Sequence, residues 1–369
     1  MNFFSIIWCL IGGASAWNLA TFDDSGLQFA TNNNDYEIVH VSLFYVRSFL
    51  TIRNLSNSSN HHITLIESTW PENLLPIQSR IFPNELSHAK HKSDCNGIVK
   101  TIQTAVDRTD GHLWLLDNGS QYCTPKLIVF DLLRSNIEIH RYLFTDLKND
   151  ALKSIQLYIK DDMDANNNAI VKRSSTATTY ALILIHQSKF LIQYSLSDNR
   201  PKKLFLIIPL QSGAYDILIA AEITIKNNDE LVVKDYNNNL WIAKLNEIKY
   251  SSIQSKNIDL FVEVKFLGPL LGSANALAIP QMVDDIDQYM YYYLPRDGAV
   301  VRWNFRFPGE IRAEGHEVLY LTKSSIVQIV FGAKASSVWI VHAHADEIGD
   351  HCRRILNFRT LNGSRRLFS

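Results

Sequence analysis

Short apolar runs bounded by Asn, Asp, Gly and Ser recur along the whole chain, and stretches with helical periodicity are scarce. That pattern predicts an all-β protein built from many short strands. The clearest unit starts at His112, with a strand over 113–116, a turn at Asp117-Asn118-Gly119, a strand over 126–130, a connection at 132–136 and a third strand over 137–142. The same grammar returns at 180–185 with 190–194, at 231–233 with 240–243, at 290–294 with 299–303, and at 338–341 with 354–358. Each pair reads as a hairpin. The leading strands are spaced roughly 50 to 65 residues apart, near the size of a four-stranded propeller blade. Residues 38–42, 49–52 and 63–66 supply one more unit before Cys95. Six units predict a six-bladed β-propeller; a two-domain sandwich explains the strands but not their even spacing. The polar stretches 161–175 and 227–230 read as loops between blades.

The N-terminus changes the setting of this fold. Residues 3–13 are almost wholly apolar, too short to span a bilayer, and lead into Ala14-Ser15-Ala16, a small-x-small cleavage pattern. Residues 1–16 are therefore expected to be a secretory signal peptide, and 17–369 a single secreted domain starting at Trp17. No later window approaches the roughly 18 apolar residues of a membrane span, so no membrane partner is expected. A formal charge of −1 gives no pull towards nucleic acid, and the basic tail at 359–366 reads as a solvated edge.

Export makes disulfide chemistry relevant. Cys9 leaves with the leader, and Cys95 and Cys123 are the natural pair of the remaining three cysteines, flanking a compact strand-turn unit. Closing that loop of about 29 residues is worth roughly 3 kcal/mol through the unfolded chain. Cys352 is left over, with a buried thiol the preferred reading over an intermolecular cross-link. Asn54, Asn57, Asn118 and Asn362 each start an N-glycosylation sequon. Asn54 and Asn57 lie in a polar run, whereas Asn118 sits in a tight turn beside the expected disulfide.

The block from Cys95 to Tyr142 contains Cys-Asn-Gly-Ile-Val, Val106-Asp107, Gly-His-Leu-Trp-Leu-Leu-Asp-Asn-Gly over 111–119, Cys-Thr-Pro-Lys-Leu over 123–127, Phe130-Asp131-Leu132 and Ile139-His140-Arg141-Tyr142. This ordered set resembles the yellow / major royal jelly protein family of insects. Asp297-Gly-Ala-Val-Val-Arg-Trp-Asn304 is similar to the family's segment before its last blade, except that Arg302 stands where a Cys usually precedes the Trp. That departure removes a second family disulfide and leans towards the eggshell-associated branch. The resemblance implies a yellow/major royal jelly-type secreted six-bladed propeller over 17–369. It also implies roles in cuticle pigmentation, eggshell formation or nutrition, binding of biogenic amines, or dopachrome conversion.

The residues themselves offer no hydrolase elbow, no His-Glu-x-x-His zinc helix and no glycine-rich phosphate loop, so no catalytic residue, cofactor or metal is assigned. His342 and His344, with Asp346, Glu347, Asp350 and His351 following, fit a cation site only as the weaker reading beside an exposed loop. His61, His62, His88 and His91 read as solvated loop residues. Trp114, Trp241, Trp303 and Trp339 recur at equivalent places and read as wedges between blades, with stacking on a ligand as the alternative. A propeller's ligand pocket lies at one mouth of its channel. By rough alignment with amine-binding relatives, Ser273, Asn275, Tyr291 and Tyr293 are the candidate ligand contacts. Tyr289, Tyr291, Tyr292 and Tyr293 also suit cross-linking to extracellular matrix proteins, beside the plainer reading as a strand rich in aromatics. The leading expectation is a non-enzymatic propeller acting in insect eggshell or cuticle formation, hardening or pigmentation, with small aromatic amines or catechols, or matrix proteins, as partners. A dopachrome tautomerase and a soluble amine binder are its rivals.

Overall fold

A computed structural model of the chain describes residues 16–17, 36–54, 63–70, 79–160, 178–227, 229–250, 259–280, 289–305, 311, 313–332, 337–344 and 352–357. The expected leader up to Ser15, the 161–175 stretch and the basic tail lie outside them. No helix among the described residues is long and apolar enough to cross a membrane.

Strand β1 (Ala16–Trp17) comes first in the chain but belongs to the last sheet. The first sheet runs outward through β2 (Tyr36–Phe44), β3 (Arg47–Asn54), β4 (Leu65–Thr69) and β5 (Ser79–Ile81). The second repeats this order with β6 (Thr101–Asp107), β7 (His112–Asp117), β8 (Lys126–Asp131) and β9 (Ile137–Leu143). The third has β10 (Leu152–Lys160), β11 (Thr178–Ile185), β12 (Leu191–Ser195) and β13 (Lys202–Pro209), with β14 (Tyr215–Ile217) added to β13. The fourth begins with β15 (Ala220–Lys226), β16 (Glu230–Asp235) and β17 (Asn239–Lys244). The chain then crosses to the third sheet as β18 (Lys249–Tyr250) and β19 (Asp259–Glu263), and returns as β20 (Lys265–Pro269) to complete the fourth. The fifth holds β21 (Asn275–Ala278), β22 (Tyr289–Leu294), β23 (Ala299–Asn304) and β24 (His316–Leu321). The sixth holds β25 (Ile326–Phe331), β26 (Ser337–His342) and β27 (Cys352–Asn357), and β1 completes it.

The innermost strands β2, β6, β10, β15, β21 and β25 each lie against the next, and β25 against β2. Sheets arranged face to face around one axis in this way make a β-propeller. The sheets are not uniform: five have four strands, while the third has seven because β14, β18 and β19 extend it, with β19 parallel to β13. The ring closes where β1 pairs antiparallel with β27, Trp17 opposite Cys352. Beneath that seam the Trp70 and Trp339 rings meet edge to face at 5.0 Å, in one buried cluster with Ile38, Val341 and Cys352.

The hairpins expected from the apolar runs are the two middle strands of each sheet. β7 and β8 are buried along almost their whole length, because neighbouring sheets cover both faces. Their side chains fill the spaces between sheets, as where Trp114, Leu127, Val129, Ala181 and Tyr194 share one cluster. Apart from β2, which contains the expected run 38–42, the inner strands escape a search for apolar runs, since one side of each faces the axis and carries polar residues.

Cys95 and Cys123 form a disulfide with Cα atoms 5.1 Å apart. Under it, Lys126 and Asp117 are fully buried and 3.4 Å apart. Lys126 Nζ donates to the carbonyls of Cys95 (2.8 Å) and Gly97 (2.6 Å), while Asp117 accepts from the backbone N–H groups of Val99, Lys100 and Gly119. Gly119 has φ +65, and a Cβ there would lie 2.0 Å from the Cys123 carbonyl oxygen, so the turn requires glycine. Burial lowers the Lys126 pKa and the Asp117 carboxylate opposes that shift.

Removing one partner of a buried ion pair leaves the other charge uncompensated, so Lys126→Met is expected to cost about 3–5 kcal/mol even with the disulfide intact. Urea denaturation of the oxidised protein checks this; a midpoint unchanged from the parent would show that the disulfide alone holds the loop.

Candidate functional site

All six inner strands carry a register shift against their neighbour at corresponding places: Ile38/His40, Thr101/Gln103, Leu152/Ser154, Ala220/Glu222, Asn275/Ala278 and Ile326/Gln328. A bulge bends its strand and re-aims the side chains around the extra residue. Here the extra residues Val39, Ile102, Lys153, Ala221, Ala276 and Val327 all line one mouth of the axial channel. In the fifth sheet the same one-residue offset is spread over a longer unpaired stretch, between Asn275 and Ala278, and Ala276 takes a left-handed φ of 55.

The residues just past the bulges build a polar neck. Gln103 Oε1 accepts from Ile155 N at 3.0 Å and Gln328 Oε1 from Val41 N at 2.7 Å. These bonds fix both carboxamides so that their Nε2 groups point at His40 Nε2, at 3.0 and 3.1 Å. His40 Nε2 therefore acts as acceptor and its proton sits on Nδ1, which has no hydrogen-bond partner among the described residues. Burial lowers the His40 pKa from 6.5 to about 3, so the ring is neutral. His40, Gln103, Gln156, Thr224 and Gln328 line the cavities on both sides and divide the channel into two chambers, about 980 Å³ and 760 Å³.

The larger chamber holds the charged groups. Glu222 Oε1 accepts from Leu277 N at 2.6 Å, and its Oε2 lies 3.2 Å from Lys234 Nζ. Lys234 Nζ also donates to the Ala274 carbonyl. Lys153 Nζ donates to the Ala221 carbonyl at 2.6 Å and stands 5.7 Å from the centre of the Tyr236 ring. Asp235, at the end of β16, spends Oδ1 on the N–H groups of Asn237 and Asn239, and Oδ2 on Asn239 Nδ2 and Trp241 Nε1. At the rim Arg53 pairs with Glu37 at 3.1 Å. Ser273, Asn275 and Ser325 add exposed neutral polar groups.

Two of the four expected ligand contacts, Ser273 and Asn275, line this chamber. Tyr291 and Tyr293 do not: β22 is a middle strand buried on both faces, and both rings pack between the fifth and sixth sheets with Val300, Ile329 and Ile340. Burial of Tyr291, Tyr292 and Tyr293 likewise removes them from any surface cross-link. Asn118 is buried, and its carboxamide bonds the Leu152 backbone at both ends (2.9 and 3.0 Å), which leaves no access for a glycan on the folded protein. Asn57 and Asn362 lie outside the described residues, and of Asn54 only its place at the end of β3 is described.

The four tryptophans occupy spaces between sheets and not the channel, but at two kinds of position. Trp114 and Trp339 are on second strands, Trp241 and Trp303 on third strands. His342 ends β26 buried while His344 is exposed beyond it, so the two do not share a face. Asp346, Glu347, Asp350 and His351, like His61 and His62, lie outside the described residues. His88 is buried, with Nε2 2.9 Å from the Phe82 carbonyl oxygen, in place of the solvated loop residue expected. Among the described residues only Asp107, Asp110 and His112 bring three possible metal ligands together. Asp107 Oδ1 there accepts from Thr109 N within the turn and Oδ2 from Thr179 Oγ1 of the neighbouring sheet, so both oxygens already have structural partners.

The chamber residues Lys153, Glu222, Lys234, His40, Gln103 and Gln328 were not singled out from the sequence. Their signal is a polar or charged residue at or just after the bulge in a strand that opens each repeat, and it emerges only once the repeat is aligned on its inner strands.

No known protein-family profile matches the chain. It is 45% identical to major royal jelly protein 3 of Apis mellifera over 56 residues, 14% of this chain and 10% of that protein. Major royal jelly protein 7 of Apis mellifera is 31% identical over 119 residues, 31% of this chain and 24% of that protein. The chain thus matches no more than 24% of the length of these relatives. Among solved structures, the Cps50 (Swd1) β-propeller domain of Myceliophteria thermophila is similar with a TM-score of 0.46 and 11% identity, covering 87% of this chain and 97% of that one. A chain of a nidogen/laminin complex reaches a TM-score of 0.41 at 9% identity, covering 76% and 82%.

The neck gives a signed pH effect. A histidine held neutral in the fold takes up its proton only on unfolding between pH 6.5 and about 3, so its contribution is full above 6.5 and falls as pH drops through that window. Between pH 6.5 and 5 the parent should lose about 1.5 kcal/mol more unfolding free energy than His40→Gln, whose amide oxygen can take the same two hydrogen bonds. Urea titrations at both pH values check this, and equal losses would show that His40 titrates freely.

Proposed function

We propose that this chain is a secreted, non-enzymatic member of the yellow / major royal jelly protein family, and that it holds a small aromatic molecule in the wide chamber of its channel. The observation that carries this reading is the chamber itself. Six bulges turn one mouth into a ring of aliphatic and cationic side chains, with polar groups above it and the Gln103–His40–Gln328 neck as its floor. Its lining mixes these aliphatic side chains with ammonium, carboxylate, amide and hydroxyl groups that converge on one space, and convergent polar groups are what orient a small ligand. Six sheets around six inner strands support reading the fold as six blades. The partial similarity to major royal jelly proteins supports the family, and the apolar leader with Ala14-Ser15-Ala16 supports export.

Of the ligand classes implied by the family, a catechol fits this chamber better than an amine. Both oxygens of Glu222 and of Asp235 are engaged within the protein, whereas ammonium and amide donors remain to meet catechol oxygens. Ser273 and Asn275 are the proposed neutral contacts. The setting that suits such a protein is an insect eggshell or cuticle during formation, hardening or pigmentation, with glycans on Asn54 and Asn57 keeping it soluble until assembly.

Calorimetry of the secreted protein with 4-methylcatechol should show saturable binding, and Asn275→Ala should weaken it roughly fivefold, the worth of about one hydrogen bond. Absence of heat on folded protein would sink the binding reading. Dopachrome should fade at the buffer rate in its presence, and a clear acceleration would replace the non-enzymatic reading with the tautomerase.

A further inference from the structure

The small-molecule reading is the premise here, and the bulge ring names the chemistry of its ligand. Five of the residues that the bulges turn into the mouth are Val39, Ile102, Ala221, Ala276 and Val327; the sixth is Lys153. One repeat therefore carries an ammonium where the other five carry an aliphatic group. Nothing in the fold requires that exchange, since β10 keeps the same bulge geometry as its neighbours.

An ammonium offers three donors. Lys153 uses one on the Ala221 carbonyl, and no carboxylate among the described residues lies within ion-pair distance of it. Lys234 uses two, on Ala274 and Glu222, and keeps a third. The carboxylates of the same wall are engaged: Glu222 by Leu277 N and Lys234, Asp235 by its four N–H donors, Glu37 by Arg53. Formally the cations Arg53, Lys153 and Lys234 balance these acids, but Glu222 and Asp235 each have both oxygens engaged, while Lys153 has two donors unspent and no carboxylate partner among the described residues. Burial lowers the Lys153 pKa, Glu222 opposes this and Lys234 adds to it, the electrostatics of a lysine that would gain from a second anion. The rest of the bulge ring is aliphatic, and a chamber of about 980 Å³ far exceeds an inorganic ion.

We propose that Lys153, backed by Lys234, binds the carboxylate of a small organic acid, whose apolar part lies against the aliphatic members of the bulge ring.

Three ligands sharing one ring separate this from the premise: 3,4-dihydroxyphenylacetate, 4-methylcatechol and dopamine, each titrated calorimetrically into the full secreted chain. The acid should bind about tenfold or more tighter than the neutral catechol, as a charge-assisted pair adds to affinity, and dopamine more weakly than either. Raising NaCl should shrink the acid's advantage. Lys153 is exposed to the chamber, so Lys153→Gln should melt like the parent and bring the acid down to the neutral ligand's affinity. Lys153→Glu should reverse the order of acid and amine. An acid that binds no tighter than 4-methylcatechol, or an advantage that survives Lys153→Gln, overturns the carboxylate site while leaving the small-molecule reading standing. Inorganic phosphate competing as well as the acid overturns the organic identity of the anion. If none of the three ligands binds, the premise falls and the proposal with it.

Discussion

The inner edge of each sheet is the constraint on which this structure turns. A strand that faces the axis has no ladder partner on that side, yet the channel neck is too narrow to leave its peptide groups simply to solvent. Side chains answer this at three junctions by one device. Gln103 reaches from the second sheet to Ile155 N in the third, Glu222 from the fourth to Leu277 N in the fifth, and Gln328 from the sixth to Val41 N in the first. Each donor strand is the next in the ring, so each bond both satisfies a backbone N–H and fixes the angle between adjacent sheets. The Gln328 bond does this at the seam, where β1 has already tied the two ends of the chain together through β27.

What could be read from the sequence follows from the same geometry. Middle strands such as β7, β11 and β22 are covered on both faces, so they appear as uninterrupted apolar runs and mark the repeat without alignment. Inner strands alternate between axis and core, and a bulge breaks even that alternation, so Thr101–Asp107 or Ala220–Lys226 carries no clean period. The repeat was therefore legible from its middle, while the channel was not. Ser273 and Asn275 reach the chamber because they precede a recognisable strand, whereas Tyr291 and Tyr293 lie between sheets, and in sequence a tyrosine on a middle strand looks the same whether it faces a channel or the neighbouring sheet. The disulfide was legible from its spacing, but not the burial of Lys126 and Asp117 beneath it, since nothing in a turn and a strand start tells that two opposite charges meet there.

That buried pair explains why the densest motif of the sequence lies around it. Asp117, Gly119, Cys123 and Lys126 serve one object, a loop whose carbonyls and N–H groups are gathered by two opposite charges out of contact with water. A buried charge without its partner is far more costly than an apolar residue in its place, so these positions cannot drift independently. The turn at Asn118 belongs to the same object, since its carboxamide holds the first residue of β10 on both sides. The conformation of the disulfide loop is thereby transmitted to the start of the strand that presents Lys153.

The bulges join architecture to chemistry. A propeller needs its inner strands to bend enough to clear one another at the axis, and a one-residue bulge supplies that bend at every repeat. Its by-product is one extra side chain per sheet aimed into the mouth, a position that the core does not constrain. Aliphatic residues there cost little, and a polar substitution there alters the channel without disturbing the packing between sheets. Lys153 shows such a substitution next to Ala221, the bulge residue of the following sheet, whose carbonyl it caps at 2.6 Å. Since the acceptor is a main-chain oxygen that any residue at 221 would present, the lysine is held in place by the fold itself, and its remaining donors are directed at the space inside the chamber.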